Sequence, residues 1–365
     1  MTLTTADQGA LLELPENLTS LLDFMVEQGA SDLHLATDTP PALRYNGEIV
    51  RIKGMPPITP DWMDRERAVL ANNHDPGEYL ARKSVDFGIS HNGQRFRVNM
   101  FRHRGGDALA IRHLGSDFSS LAALNLPAEV DQFTQYQNGL VLICGATGSG
   151  KSTTLASLIN SINRSSARHI LTIEDPVEYI HMDIGCIIRQ RELHTDAEDF
   201  ASAVRAALRE DPDVILVGEM RDVETMRAAL TAAETGHVVF STLHTGDVVG
   251  AIRRMIGAFP ANEQDAVRLR VSQSLRAVMA QHLLPTRRFD GRIPAVELMF
   301  MTTAIRHLIS SNKLDQLYSS VETGRAVGMR TLEQSLADLV RTGRISEETA
   351  YDHCQDADAL ERLMR

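Results

Sequence analysis

Two hydrophobic periods alternate along the first hundred residues. Over NLTSLLDFMVEQGA the apolar positions 18, 21, 22, 25 and 26 recur at helical spacing, and Gly29 closes the run. SDLHLAT then alternates, with Leu33 and Leu35 on one side, as a half-buried strand does. Two hairpins follow. PALRYNGEIVRI turns at Asn46-Gly47, with Leu43 and Tyr45 before the turn and Ile49 after it. DFGISHNGQRFRVNMF turns at Asn92-Gly93, and in its outgoing arm Phe96, Val98 and Met100 share one face while Arg95, Arg97 and Asn99 share the other. The pattern predicts a small curved α+β sheet with helices on one side over residues 18–114, preceded by an extension, 1–17. HLGSDFSSLAALNLP, rich in Gly, Ser and Asp, supplies a linker at 115–127.

From residue 128 to 365 the texture changes to strands alternating with helices, the signature of an α/β unit with a mostly parallel sheet. GLVLICG, HILTIED, DVILVGE and HVVFSTLHT read as strands. KSTTLASLINSIN, DAEDFASAVRAALRED and VETMRAALTAAETG read as helices between them. The remaining tail reads as helical, with Thr331 and Gln334 forming a capping box and Gly343 closing the helix.

The first chemistry is GATGSGKST: Gly145, Ala146, Thr147, Gly148, Ser149, Gly150, Lys151, Ser152 and Thr153. It satisfies G-x-x-x-x-G-K-[ST] between an apolar strand and a helix, the context that makes such a run a phosphate loop. The glycines let backbone N–H groups turn inward, the helix N-terminus adds partial positive charge, Lys151 reaches the β- and γ-phosphates, and Ser152 suits Mg²⁺. The strand DVILV then delivers Gly218 and Glu219, where P-loop folds bring an acid toward the Mg²⁺-nucleotide. Glu219 is the candidate general base and a candidate metal-organising group. TIEDPVEY ends another strand with Glu174 and Asp175, followed by Glu178 beyond Pro176, and Glu174 is the second candidate acid. HVVFSTLHT has His237 and His244 at its two ends, and His244, between Thr242 and Thr245, suits a γ-phosphate sensor. A satisfied structural histidine is the competing reading. The basic cluster Arg95, Arg97, Arg102, His103, Arg104 and Arg112 lies outside the phosphate-loop unit, as either a solvated hairpin face or arginines that complete a nucleotide site between subunits.

Composition narrows this further. The 365 residues are 43% hydrophobic, enough for a sizeable core. No apolar run approaches the roughly 18 residues of a membrane span, and the acidic N-terminus lacks a signal-peptide pattern, so a cytoplasmic protein is expected. Three scattered cysteines without a CxxC pair argue against a zinc site or disulfide framework. A formal net charge of −11 disfavours broad nucleic-acid binding and hence a translocase.

GASDLHL, RFRVNMF, GATGSGKST, TIEDPVEY, REDPDVILVGEMRD, TAAETGHVVFSTLHT and AIRHLI stand in the order found in PilT-type secretion and pilus ATPases, which the chain resembles from about residue 18 to its end. The resemblance implies a PAS-like N-terminal domain, a RecA-like ATPase domain with a helical C-terminal region, and a homo-hexameric ring using ATP and Mg²⁺. It also implies peripheral association with the inner membrane through a pilus platform protein, a paralogous pilus ATPase as a further partner, and a motor for type IV pilus retraction in twitching motility. Glu174 to Glu178 would be the Asp box, Glu219 the end of an atypical Walker B strand, and His237 and His244 the His box. Arg97 and Arg112 are similar to arginines that approach nucleotide phosphates. The chain lacks the four-cysteine zinc element of assembly-type ATPases. It reads AIRHLI, with His307, where retraction-type ATPases carry an AIRNLI-like motif, and Ile305, Leu308 and Ile309 there form either a coupling surface or core. A conjugative or type IVB secretion ATPase, or a low-activity regulatory pilus ATPase, would share these motifs.

Overall fold

A computed structural model describes residues 17–45, 47–71, 79, 83–114, 118–288 and 291–365. Nearly all of the extension, Asn46 of the first turn, and residues 115–117 of the linker lie outside the described residues. The chain forms two compact units. Of the described residues, one holds those up to 114 with 175–180 and 192–196, and the other holds those of 118–174, 181–191 and 197–365. The sequence predicts contiguous domains; two short segments from within the stretch expected to be the second domain join the first unit instead.

The first unit is a six-stranded antiparallel sheet in the order β3-β2-β1-β6-β5-β4, built from β1 (Asp32–Ala36), β2 (Thr39–Tyr45), β3 (Glu48–Arg51), β4 (Ser84–His91), β5 (Gln94–His103) and β6 (Gly106–Leu114). Helix α1 (Leu18–Glu27) is capped by Asn17, which accepts from Ser20 N–H at 3.2 Å, and buries Leu18, Leu21, Leu22 and Met25. Those side chains pack with Leu33, Leu35, Phe96, Val98 and Met100 in one core, as the alternating pattern requires. Helix α2 (Pro60–Ala71), absent from the sequence reading, adds Trp62 and Met63 to that core. Its apolar positions are too few to show a helical stripe.

The second unit carries a seven-stranded sheet in the order β13-β12-β7-β11-β10-β8-β9. Its strands are β7 (Gly139–Cys144), β8 (His169–Glu174), β9 (Ile187–Glu192), β10 (Val214–Val217), β11 (Val238–Leu243), β12 (Leu275–Pro285) and β13 (Arg292–Phe300). Strands β12, β7, β11, β10 and β8 run parallel, and β13 is antiparallel to β12. β7, β10 and β11 are buried at every position, which is why they read as unbroken apolar runs: helices cover both faces of a parallel sheet. The helices are α3 (Lys151–Ser165), α4 (Phe200–Ala207), α5 (Val223–Glu234), α6 (Val248–Gly257), α7 (Gln264–Ser274), α8 (Thr303–Ser310), α9 (Leu317–Glu322), α10 (Leu332–Arg341), α11 (Glu347–His353) and α12 (Ala357–Met364). Asp199, Asp222 and Asp247 cap α4, α5 and α6, each accepting from the N–H three residues on. The capping box of Thr331 and Gln334 forms as expected.

The tail is not wholly helical. LRAVMAQHLLP and RIPAVELMF form the long β12–β13 pair, because short apolar runs do not separate buried strand from buried helix by period alone. On α8, Ile305 and Ile309 are fully buried and Leu308 is half-buried, so that face of AIRHLI is core, while Arg306 and His307 face solvent.

Candidate nucleotide site

The phosphate loop leaves the end of β7 and enters α3. Gly145, Gly148 and Gly150 have φ of 146°, 81° and 89°, a region open to glycine and strained for other residues. Lys151 is buried at the first turn of α3 and donates through Nζ to the carbonyls of Gly145 and Ala146, both at 2.9 Å. Ala146, Thr147, Gly148 and Ser152 are exposed and Thr153 is half-buried, so the loop's crest is open. Ser149 Oγ, in the loop, is a buried hydroxyl without a hydrogen-bond partner. An orphaned buried donor is costly, and a phosphate oxygen is the acceptor such a loop is shaped to admit. The residues present therefore fit a nucleotide phosphate.

A series of hydrogen bonds joins the strand ends at this edge of the sheet. Gly218 N–H donates to Ile173 O at 2.8 Å, tying β10 to β8. Thr242 Oγ1 donates to Gly218 O at 2.7 Å, and Met220 N–H donates to Thr242 O at 3.2 Å, tying β11 to β10. Gly145 N–H donates to Leu243 O at 3.2 Å, tying the phosphate loop to β11. β10 lies two strands from β7, so its end falls about 10 Å across the sheet from the loop. Gly218 has a physical reason to lack a side chain: a Cβ there would stand 3.3 Å from Ile173 O and 3.5 Å from Glu174 Cα.

Glu219 emerges from this edge with its side chain 15% exposed. Its Oε2 lies 3.1 Å from His244 Nε2, and its Oε1 lies 2.6 Å from Arg221 Nη2, whose side chain is 72% exposed. Glu174 accepts from Thr172 Oγ1 at 2.7 Å and Gln190 Nε2 at 3.3 Å. Glu219 and His244 are thus brought together, and Glu174 ends the adjoining strand. His237 is not brought to this edge. It precedes β11, about 20 Å of strand from His244, and its Nδ1 sits 3.0 Å from Ala232 O at the end of α5. A parallel strand has its two ends on opposite sides of the sheet, so the two histidines cannot share one phosphate within a chain.

In the first unit, Arg97 and Arg112 are register partners on β5 and β6 and share a face. Both are engaged. Arg97 Nε contacts both Asp86 oxygens at 3.1 Å, which holds the guanidinium further above the ordinary arginine value. Arg97 Nη1 also lies 3.9 Å from Glu178, and Arg112 Nε donates to Asp32 at 2.8 Å. Arg102, His103 and Arg104 are exposed.

Two groups escaped the sequence reading. Glu192 is buried, pairs with Arg95, and accepts from Val177 N–H at 3.0 Å and Gly88 N–H at 3.2 Å. Arg95 also donates to Val177 O at 3.0 Å, so the ion pair holds the Val177 backbone by both its N–H and its C=O, just after the cis Asp175–Pro176 bond. The other is Gln281, buried on β12, whose carboxamide meets Ser149 and Thr154. Glu192 stands 15 residues beyond Val177, and Gln281 stands 132 beyond Ser149, so no local spacing announces either.

Among the described residues no helix is long and apolar enough to cross a membrane, and no cluster of three or more His, Cys, Asp or Glu could hold a metal. The family described as type II/IV secretion system protein matches residues 13–352. The type IV pilus retraction ATPase PilT of Pseudomonas aeruginosa is 43% identical over 337 residues, 92% of this chain and 97% of that protein. A twitching motility protein of Neisseria gonorrhoeae is 44% identical over 321 residues, 88% of this chain and 86% of that one. A crystal structure of the pilus retraction motor PilT with bound ADP superposes with a TM-score of 0.88 at 42% identity, covering 95% of this chain and 99% of the other.

Proposed function

The chain belongs to the type II/IV secretion system protein family, and from that premise we propose that it is an ATPase whose hydrolysis cycle powers type IV pilus retraction. The observation that carries this reading is the hydrogen-bonded edge that sets Glu219 and His244 beside a glycine-built phosphate loop. Lys151 exchanges the Gly145 and Ala146 carbonyls for phosphate oxygens and offsets their charge. Ser149 Oγ and the loop N–H groups complete the phosphate cradle. Ser152 and Glu219 are the groups that would hold Mg²⁺, whose bound form neutralises charge on phosphate oxygens.

Glu219 orients the attacking water and accepts its proton, which requires one carboxylate oxygen to let go of its present partner. Arg221, the more exposed of the two, is the partner that leaves. His244 then stands between Glu219 and the γ-phosphate as its sensor, and Glu174 orders the water from the adjoining strand. Arg97 and Arg112 exchange Asp86 and Asp32 for the phosphates of a nucleotide when the protein assembles as a homo-hexamer, and the ring acts on an inner-membrane pilus platform protein.

The test is phosphate release by the purified full-length chain, together with pilus retraction in a deletion strain complemented by each variant. Wild type should hydrolyse ATP and restore retraction, whereas Lys151→Ala and Glu219→Gln should do neither. Wild-type turnover in Glu219→Gln would overturn the assignment of the base. Robust ATP hydrolysis with no effect on retraction would redirect the motor to another secretion machine.

A further inference from the structure

We infer that Gln281 is the positioning residue of the phosphate loop, its buried carboxamide fixing the loop in the shape that receives phosphate. The inference rests on the nucleotide-binding reading above. Strand β12 outlasts its neighbour: Ala280 pairs with Cys144, the last residue of β7, so Gln281 falls beside Gly145, where β7 has become loop. From there its side chain works at both ends. Nε2 donates to Ser149 O at 2.7 Å, and Oε1 accepts from Thr154 Oγ1 in the first turn of α3 at 2.9 Å. One amide therefore ties the last peptide of the loop to the helix that follows it. Gln281 is only 4% exposed, so water does not substitute for either bond.

Gly150 supports this assignment independently. A Cβ on Gly145 would lie 2.4 Å from Gln281 O, and one on Gly150 would lie 2.8 Å from Gln281 Nε2. A Cβ on Gly148 would meet nothing within 4 Å. Gly148 is thus required for its backbone angle alone; at Gly145 the main-chain carbonyl of residue 281 also leaves no room for a Cβ, and at Gly150 the Gln281 carboxamide itself occupies the space a Cβ would take. The consequence for phosphate is geometric. In a trans peptide the N–H points opposite to the C=O. Holding Ser149 O toward Gln281 turns the Gly150 N–H to the other side of the loop, where a phosphate oxygen is its natural acceptor. Glutamate at 281 would set a carboxylate against the Ser149 carbonyl. Leucine would leave that carbonyl and the Thr154 hydroxyl buried and unpaired.

The experiment measures ADP affinity by titration, kcat and KM for ATP, and the thermal midpoint without nucleotide, on the full-length chain and three variants: Gln281→Leu, Thr154→Val and the double variant. In Gln281→Leu, ADP affinity should fall and KM should rise together by about ten- to a hundredfold, with kcat within about threefold of wild type. Thr154→Val should show a smaller loss in the same direction, and the double variant should be no worse than Gln281→Leu, because the two groups act through one bond. A merely structural glutamine would lower the midpoint and the active fraction while leaving KM and ADP affinity of the folded protein unchanged. Gln281→Leu binding ADP within about twofold of wild type overturns the inference. Should Gln281→Leu fail to fold, Thr154→Val at wild-type affinity overturns it alone. A wild-type protein that binds ADP without hydrolysing ATP defeats the motor reading, and the ADP comparison still decides the role of Gln281. A wild type that binds no ADP overturns both.

Discussion

The two units handle charge in opposite ways. In the second, the strand ends beside the phosphate loop are joined by main-chain groups and a threonine hydroxyl, from Ile173 through Gly218 and Thr242 to Gly145, and Glu219 is left at the rim with exposed partners. In the first, the arginines on the β5–β6 face are each committed to a carboxylate: Arg95 to Glu192, Arg97 to Asp86, Arg112 to Asp32. The same contrast holds for buried acids. Glu192 in the first unit has a guanidinium partner, whereas Glu297 in the second accepts from Val248 N–H at the start of α6 at 2.9 Å and has Asp247 and Glu333 as charged neighbours. A site framed by backbone leaves its carboxylate with exposed partners, Arg221 and His244, of which one has only to swing into solvent. A face framed by ion pairs must break one before its arginines can serve another anion.

The comparison can be broken most decisively at Glu219. Glu219→Gln should lower turnover by about 10²–10⁴ while ADP binding survives, because the loop and its main-chain frame are untouched. Parallel assays of phosphate release and ADP titration read both, and loss of ADP binding would show that the rim acid also supports the frame.

Next in size is the buried ion pair of the first unit. Glu192→Ala takes the carboxylate from the half-buried Arg95, which keeps Val177 O and Ser90 Oγ as acceptors, and orphans the N–H groups of Gly88 and Val177, so stability should fall by about 3 kcal/mol in urea denaturation. A loss below about 1 kcal/mol would mean the pair behaves as an exposed one.

Glu297 sharpens the contrast through pH. Burial first, then its acidic neighbours, push its carboxyl up to about 7 from 4.5, against the pull of the Val248 N–H. The folded state thus holds a proton that the unfolded chain releases. Stability therefore declines as pH rises from about 4.5 to 7, and the deficit persists above that window. Glu297→Gln keeps an acceptor for Val248 and removes the titration. It should match wild type near pH 4.5 and exceed it by about 3 kcal/mol at pH 8, read from denaturation at each pH. A constant difference across the window would assign the effect to packing. The smallest change belongs to Arg112→Ala, whose side chain is 64% exposed: stability should move by less than about 1 kcal/mol. A drop in turnover at unchanged stability would then report the guanidinium's visit to nucleotide.

The sequence conveyed these features unevenly. GATGSGKST, the alternation of Phe96, Val98 and Met100, the capping box at Thr331 and the apolar strands β7, β8, β10 and β11 are all legible, because each depends on residues within a few positions of one another. The β12–β13 pair was not, since its apolar runs suit a buried helix equally well, and the AIRHLI face resolved as core only once Ile305 and Ile309 had neighbours. His237 and His244 look alike in sequence, and only the direction of β11 separates them.

Local spacing, then, determined the conformations: which segments turn, wind or extend, and that one loop bares its peptide N–H groups. Steric limits on φ and ψ and the two side-chain periods act over a few residues, so they are written in neighbouring letters. Partnership was decided by the tertiary structure. That Gln281 braces a loop 132 residues earlier, and that Arg95 finds Glu192 across 97 residues, follow from strand order and packing, which bring together groups that nothing in the intervening chain relates.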